Sequence, residues 1–295
     1  MCDIQKSIVN RLTCPICKIP LNDWFTKSGQ KISRCEHCNL IAVGNTSQDR
    51  SHLYEGEDSV FFQDGNENYY MDESNFLSCR SKLDLCLKYC QQGSSLLDVG
   101  ANFGHFLSLA KGYYQIRGLD VTDQGAKWAK KNLGIEICLT SIYDPPAEWK
   151  ECFDIVTCWD VIEHLPDPSR AVDQMKNLLK PGGILLLSTP DAGSLIAKLL
   201  GRYWHYIDPV QHYCLFTRKC LGKLMQKGEF EIREMTSFGH YYKIRYIMDR
   251  LSYLYPGLSK IFALMKRIPS SILNRHIYLN LGDVMGIVVT KTIVS

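Results

Sequence analysis
The sequence predicts an α/β protein built on a doubly wound, mostly parallel sheet with helices on both faces. A small cysteine-paired module precedes it. Three observations lead there. From about residue 74 onward, short apolar runs alternate with stretches whose apolar residues recur at helical spacing. A glycine-bearing turn follows the first apolar run, at the strand end where such sheets hold ligands. Two Cys-x-x-Cys pairs stand near the N-terminus.

Residues 1–50 form the expected module, residues 51–73 a polar, aromatic-rich linker, and residues 74–295 the main domain. Within the main domain, SLLDV (95–99), IRGLD (116–120), IEICL (135–139), FDIVTCW (153–159) and GILLLS (183–188) read as strands one to five. Ala126, Ala129 and Leu133 share one helical face. Ala171, Val172, Met175, Leu178 and Leu179 share another, and Pro181-Gly182-Gly183 stops that helix and leads into the fifth strand. Strands alternating with helices imply right-handed crossovers and a parallel sheet covered on both sides. A lid and a C-terminal helical insertion are expected over about 192–282. Ile244, Ile247, Met248, Leu251 and Leu254 give a basic amphipathic helix within 241–267, and DVMGIVVTK (283–291) adds a late strand.

Composition excludes some classes. The 295 residues are 45% hydrophobic and 22% charged, with a formal net charge of +3, so the chain as a whole is not built to bind polyanions. The charge is uneven: residues 240–295 carry eight Lys/Arg against Asp249 and Asp283, pointing to an anionic ligand or partner near the C-terminus. Nothing resembles a signal peptide or a membrane span. Peripheral membrane contact through 241–267 is a secondary expectation. Thirteen cysteines, nine of them scattered, suit small buried hydrophobes in a reducing cytoplasm.

The turn after the first strand reads Asp98-Val99-Gly100-Ala101-Asn102-Phe103-Gly104. Gly100 permits a tight turn and close ligand approach, and Gly104 lets the next helix pack near the strand. Asp120 ends the second strand, where a carboxylate can accept hydrogen bonds from both ribose hydroxyls. A dinucleotide site would show G-x-G-x-x-G, and Asp98 would repel a pyrophosphate. An acidic residue there suits a cationic amino group instead. S-adenosylmethionine carries one and has no phosphate.

LLDVGANFGHF, GLD, FDIVTCWDVIEHLPDP and LLKPGGILLLSTPD, in this order and spacing, resemble class I methyltransferases with a Rossmann-like sheet. The nearest resemblance is to the branch holding ubiquinone-biosynthesis O-methyltransferases and methyltransferases of bacterial sugar and natural-product pathways, over residues 74–235. The resemblance implies that Asp98, Gly100 and Gly104 surround the methionine part of the cofactor and that Asp120 holds its ribose. It also implies that Ser141 and Ile142 flank the adenine and that Asp160 faces the cofactor. Asn102 stands where many relatives have Gly, and a short polar side chain tolerates the same backbone. In the resembling quinone enzymes, acidic residues and a His at such positions can bind a divalent cation. Asp160, Glu163 and His164 would then hold Mg2+ here.

Cys14-Pro15-Ile16-Cys17 and Cys35-Glu36-His37-Cys38 form two knuckles 17 residues apart, the spacing of a four-thiolate structural zinc ribbon. Asn22-Asp23 and Ser28-Gly29 supply turn residues between them; a pair of redox motifs is the alternative, and His37 could replace a thiolate but, lying between two good ligands, reads as a bystander. The module is expected to have a core separate from the main domain.

For chemistry, His164 follows the fourth strand, and His205 and His212 lie in an aromatic loop after the fifth, over the same sheet edge. Histidine titrates near neutrality, so His164 and His212, or His205, are candidate bases. The expected reaction is methyl transfer, O-methylation favoured, to a small hydroxylated metabolite such as a sugar or nucleotide-sugar. A zinc-ribbon RNA base methyltransferase and a non-catalytic cofactor-binding module are the alternatives. Residues 1–50 carry only seven Lys/Arg against four Asp/Glu, which argues against nucleic acid. Asp144-Pro145-Pro146 lies after the wrong strand for a base-methylation motif. The intact Asp98, Gly100, Gly104 and Asp120 argue against degeneracy.

Overall fold
The computed structural model describes residues 12–44, 73–254 and 268–293. Most of the expected linker, and residues 255–267 of the expected basic helix with Lys260, Lys266 and Arg267, lie outside the described residues.

The main sheet has seven strands: β4 (Ser95–Val99), β5 (Gln115–Asp120), β6 (Ile137–Leu139), β7 (Phe153–Trp159), β8 (Leu179–Pro190), β10 (Phe230–Lys243) and β11 (His276–Lys291). Their order is β10-β11-β8-β7-β4-β5-β6. The five strands from β8 to β6 run parallel, and β11 pairs antiparallel with both β8 and β10. The strand order reverses direction between β4 and β7, which opens a crevice beyond their carboxyl ends.

Because side chains alternate along a strand, each central strand feeds both faces. Leu96, Ile155 and Leu186 pack with α1 (Glu73–Tyr89) and α2 (His105–Ala110). Leu97, Val156 and Leu187 pack on the other face with α4 (Pro168–Leu178) and α6 (Arg218–Lys227). Between β5 and β6, α3 (Asp123–Leu133) completes the first layer. Asp167 caps α4 through Arg170 N–H with Pro168 at the first turn, and Thr217 caps α6 through Cys220 N–H.

The N-terminal residues build a second sheet: β1 (Asn22–Lys27), β2 (Gln30–Arg34), β3 (Ile41–Val43) and, from the main domain, β9 (Cys214–Leu215). Ser28-Gly29 forms the expected hairpin turn, both residues with positive φ, whereas Asn22-Asp23 opens β1 instead of making a turn. The expectation of separate cores is corrected here. Ile41 pairs with Leu215 and Ala42 with Cys214, and Cys14, Ile16 and Leu40 share one apolar cluster with Leu221 and Leu224. The module does not bury its own apolar face; α6 and β9 cover it.

Among the described residues between 192 and 282, strands stand beside the helices. α5 (Leu195–Leu200), α6, α7 (Ile244–Leu254) and the short α8 (Ser270–Leu273) are present. The longest ladder among the described residues, β10 with β11, also falls largely in this stretch. The amphipathic helix starts at Ile244, because residues 241–243 still belong to β10. No helix among the described residues is long and apolar enough to cross a membrane.

Candidate functional site
At the carboxyl ends of β4, β5 and β7 lies a cavity of about 620 Å³ lined by Asp98, Gly100, Asn102, Asp120, Ser141, Ile142 and Asp160, among others. The local backbone explains the opening. Gly100 has φ +76°, and a Cβ there would run into Val161 Cγ2. Asn102 follows with φ +47° and donates its N–H to Asp120 Oδ2 at 2.7 Å. Asp120 Oδ1 accepts from Thr122 N–H at 2.7 Å and from the Thr122 hydroxyl. The carboxylate is thus held rigid at the strand end with lone pairs remaining for a ligand. Asp98 is buried and accepts from the Thr157 hydroxyl at 2.7 Å; burial pushes its carboxyl up to about 7.

Asp160 directly follows β7 with φ +57°, a conformation few non-glycine residues hold. Ser188 hydroxyl and Lys82 Nζ reach its two carboxylate oxygens, each at 2.7 Å. Burial pushes this carboxyl up, but Lys82 outweighs it and holds the group at about 2. Lys82 comes from α1 and also lies 5.6 Å over the Trp159 ring.

A second cavity of about 370 Å³ adjoins the first, and Asn75, Ser78, Asp160, His164 and His240 line both. Its far wall is the loop after α5, through His205, Tyr206, Asp208, Gln211 and His212. The loops after β7 and β8 meet: Tyr213 N–H donates to Glu163 O at 2.8 Å, and the His164 and His212 rings lie 4.7 Å apart. His164 Nδ1 is 3.1 Å from Gln211 O, and His212 Nδ1 is 2.7 Å from Tyr206 O. A carbonyl only accepts, so each neutral ring carries its proton on Nδ1 and its lone pair on Nε2. Burial and the neighbouring His212 depress His164 to about 3. Burial and Asp160 raise Glu163 to about 8, and Thr189 hydroxyl donates to Glu163 Oε2 at 2.9 Å.

A family described as a methyltransferase domain matches residues 71–235, more than half of the chain. The chain belongs to the class I S-adenosylmethionine-dependent methyltransferases. A ubiquinone biosynthesis O-methyltransferase of Xanthomonas oryzae is 34% identical over 162 residues, covering 49% of this chain and 65% of that one. The one from Nitrosospira multiformis is 35% identical over 160 residues, covering 50% of this chain and 67% of that one. The matches thus span about two thirds of these relatives. Among solved structures, a SAM-dependent methyltransferase of Thermotoga maritima superposes with TM-score 0.53 at 19% identity, covering 83% of this chain and all of that one. The YcgJ protein of Bacillus subtilis gives 0.52 at 17%, covering 72% and 99%. At such identities the two structures show the fold alone.

In this methyltransferase fold most sequence-predicted cofactor residues converge on the larger cavity; Gly104 is the exception. Its Cα faces Ala129, Leu133 and Ile135, where a Cβ would lie 3.3 Å from Ala129, so it sets helix packing instead of lining the cavity. The Mg2+ set of Asp160, Glu163 and His164 is also corrected. Both Asp160 oxygens are engaged by Lys82 and Ser188. Donor atoms of Glu163, His164 and His212, not Asp160, come within 4.8 Å of one another. Two imidazoles and a carboxyl pushed toward its acid form are not the oxygen-rich octahedral set that Mg2+ requires. The aromatic loop is also less free than a lid, since Trp204 and Ile207 are buried against Ile32, Ile41 and Leu215. Lys82 and His240 escaped the sequence reading. Lys82 interrupts the apolar stripe of its helix, and His240 falls in a strand without clear alternation.

The four knuckle sulfurs lie within 4.8 Å of one another, with Cys14 and Cys38 Sγ 3.7 Å apart. A tetrahedral zinc with Zn–S of about 2.3 Å has an S···S edge of about 3.8 Å. The two knuckles repeat one another. Lys18 N–H donates to Cys14 O and Asn39 N–H to Cys35 O; Cys14 N–H donates to Ile19 O and Cys35 N–H to Leu40 O. His37 Nε2 is 3.1 Å from Lys223 Nζ, consistent with a bystander. Cys220 of α6 places a fifth sulfur 3.6 Å from Cys38.

Proposed function
We propose that this chain transfers the methyl group of S-adenosylmethionine to a hydroxyl of a small ring-shaped acceptor in a reducing cytoplasm. The observation that carries the reading is the junction of the two cavities. The larger is ordered around Asp98, Gly100 and Asp120 as a sulfonium-nucleoside site should be, and the smaller opens onto it beside Asp160 and His164. Asp98 faces the amino group of the cofactor's methionine part, Asp120 its ribose hydroxyls, and Ser141 and Ile142 its adenine. Asp160 and Lys82 form the floor near the methyl group.

The sulfonium is an excellent leaving group, so holding the acceptor oxygen in line with the S–CH3 bond supplies much of the rate. His164 and His212 present Nε2 lone pairs to acceptor hydroxyls and orient them. Tyr206, Tyr241 and Tyr242 wall the smaller cavity, which suits a ring. The curated relatives' names support O-methylation; they lend nothing to a sugar or nucleotide-sugar acceptor, an anionic one, or a membrane partner. Cys14, Cys17, Cys35 and Cys38 hold one structural zinc, supported by the sulfur spacing and the repeated knuckle hydrogen bonds.

Two measurements test the reading. Calorimetry is expected to show S-adenosylmethionine binding in the micromolar range, lost in Asp120→Ala; unchanged binding in that variant refutes the ribose assignment. A screen of metabolite extracts with methyl-labelled cofactor is expected to label a hydroxylated ring compound, with His212→Ala raising KM for it. Label on nitrogen or carbon instead refutes O-methylation.

A further inference from the structure
His240 stands where the β10–β11 ladder breaks, at a register shift between Phe238 and His240. Gly239 makes the break possible. A Cβ there would run into Leu279 O and lie 2.7 Å from Tyr278 Cζ, and its N–H donates to the Tyr278 hydroxyl at 3.0 Å. A bulge of this kind re-aims the side chain that follows it. Here it turns the imidazole into the wall shared by the two cavities. The charged groups facing the ring are Asp160 at the end of β7, Lys82 of α1 and Asp283 of β11. The Tyr242 ring centre lies 6.0 Å away. His164 and His212 each commit Nδ1 to a carbonyl, whereas the His240 ring makes no hydrogen bond among the described residues. Burial lowers its pKa below the ordinary imidazole value, so at neutral pH the ring in the wall of the junction is neutral and keeps one nitrogen lone pair.

We propose that His240 is the base that takes the acceptor's hydroxyl proton during methyl transfer. The proposal rests on reading the larger cavity as the cofactor site. The acceptor oxygen forms the new O–CH3 bond with its lone pair as the S–CH3 bond breaks, and that bond's electrons stay on sulfur as a neutral thioether. The O–H proton moves to the ring nitrogen of His240. The sulfonium charge is thereby replaced by an imidazolium charge beside the Asp160 carboxylate, and the proton then leaves to solvent. His164 and His212 position the acceptor; His240 receives the proton.

The test uses the full chain with isotopically labelled histidine, the His240 resonance being assigned by its loss in His240→Gln. Its pKa is read by NMR with S-adenosylmethionine bound and with S-adenosylhomocysteine bound, calorimetry confirming occupancy. A sulfonium cation beside the ring should lower the pKa by about half a unit or more relative to the neutral thioether. Equal values with both cofactors bound overturn the proposal while leaving the cofactor reading intact; failure of both to bind overturns the cofactor reading itself. With the acceptor identified by the labelled-methyl screen, His240→Gln is expected to lower kcat by about two to four orders of magnitude and to abolish the acid limb of the kcat–pH profile. His212→Asn is expected to keep that limb. The reverse pattern assigns the base to His212 and refutes the proposal.

Discussion

Lys82→Met is a sharp test of how this site is held together. Methionine keeps the apolar stem and its packing near Trp159 but deletes the charge, leaving the Asp160 carboxylate unpaired. The Lys82 and Asp160 side chains are 9% and 31% exposed, and their atoms meet at 2.7 Å. Removing one partner of a buried pair costs about 3–5 kcal/mol. Asp160 opens partly to the cavity, so solvent recovers some of that and leaves about 2–3 kcal/mol. For a chain of this size that lowers Tm by about 3–5 °C. The pH dependence fixes the cause. Although burial raises Asp160, Lys82 holds it at about 2, below the ordinary value of 3.8. A depressed carboxyl stabilises the fold above its unfolded pKa, and that stability is lost as pH falls through about 2. In Lys82→Met only burial acts strongly, so the carboxyl rises above its unfolded value, destabilises the fold at pH 7 and is relieved by protonation on acidification. Thermal scans of wild type, Lys82→Met, Asp160→Asn and the double variant between pH 7 and pH 4 should show the gap to Lys82→Met narrowing with acid. The double variant should be more stable than the sum of the singles predicts. A gap independent of pH, or strict additivity, refutes the coupling.

Other substitutions probe the rest of the molecule. Gly100→Ala forces a Cβ against Val161 at a positive φ and should cost about 1–3 kcal/mol of stability and weaken cofactor binding at least ten-fold; wild-type affinity by calorimetry would refute the turn assignment. Freshly purified, reduced protein should carry one zinc per chain by metal analysis, and Cys35→Ser should lose it. Because the module and the α6 face share one apolar cluster, Cys35→Ser should lower the melting of the whole chain; global melting unchanged with only residues 12–44 disordered would restore the picture of separate cores. Cys220→Ala, by contrast, should retain zinc at wild-type stoichiometry, since the four knuckle sulfurs, all within 4.8 Å of one another, complete the tetrahedron.

Much of the fold could be read from local pattern. The central strands are continuous apolar runs because both their faces are buried, and their ends coincide with Gly, Asp and Pro residues that the eye can find. Most residues that line the larger cavity's strand-end edge were legible for the same reason: a parallel sheet presents strand ends at one edge. What escaped was set by partners distant in sequence. α1 carries Ser78 and Lys82 on its buried face, which breaks the apolar stripe that would mark a helix; only Asp160, 78 residues away, explains the lysine. β10 reads FEIREMTSFGHYYK, and the bulge at Gly239 interrupts its alternation, so neither the strand nor the aim of His240 shows in the sequence. Cys220 looks like any scattered cysteine until α6 is laid beside the knuckles. The packing role of Gly104 was legible, but its distance from the cavity was not, because its neighbour Ala129 lies on a later helix.

The pairing of β3 with β9 joins residues 41–42 to residues 214–215. During synthesis the knuckle segment leaves the ribosome early, yet the strand that closes its sheet and the helix that covers its apolar side follow only after some 170 further residues. At about 5–20 residues per second, that leaves the segment waiting for roughly ten to thirty seconds with an open sheet edge and uncovered Ile16, Leu40 and Ile41. Early metal capture would give it a provisional fold over that interval. The same connection makes the module a poor candidate for transplantation. Cutting the chain after residue 50 leaves β9 without its partner and strips one side of α6, so a shortened enzyme would trade a missing accessory for a sticky surface.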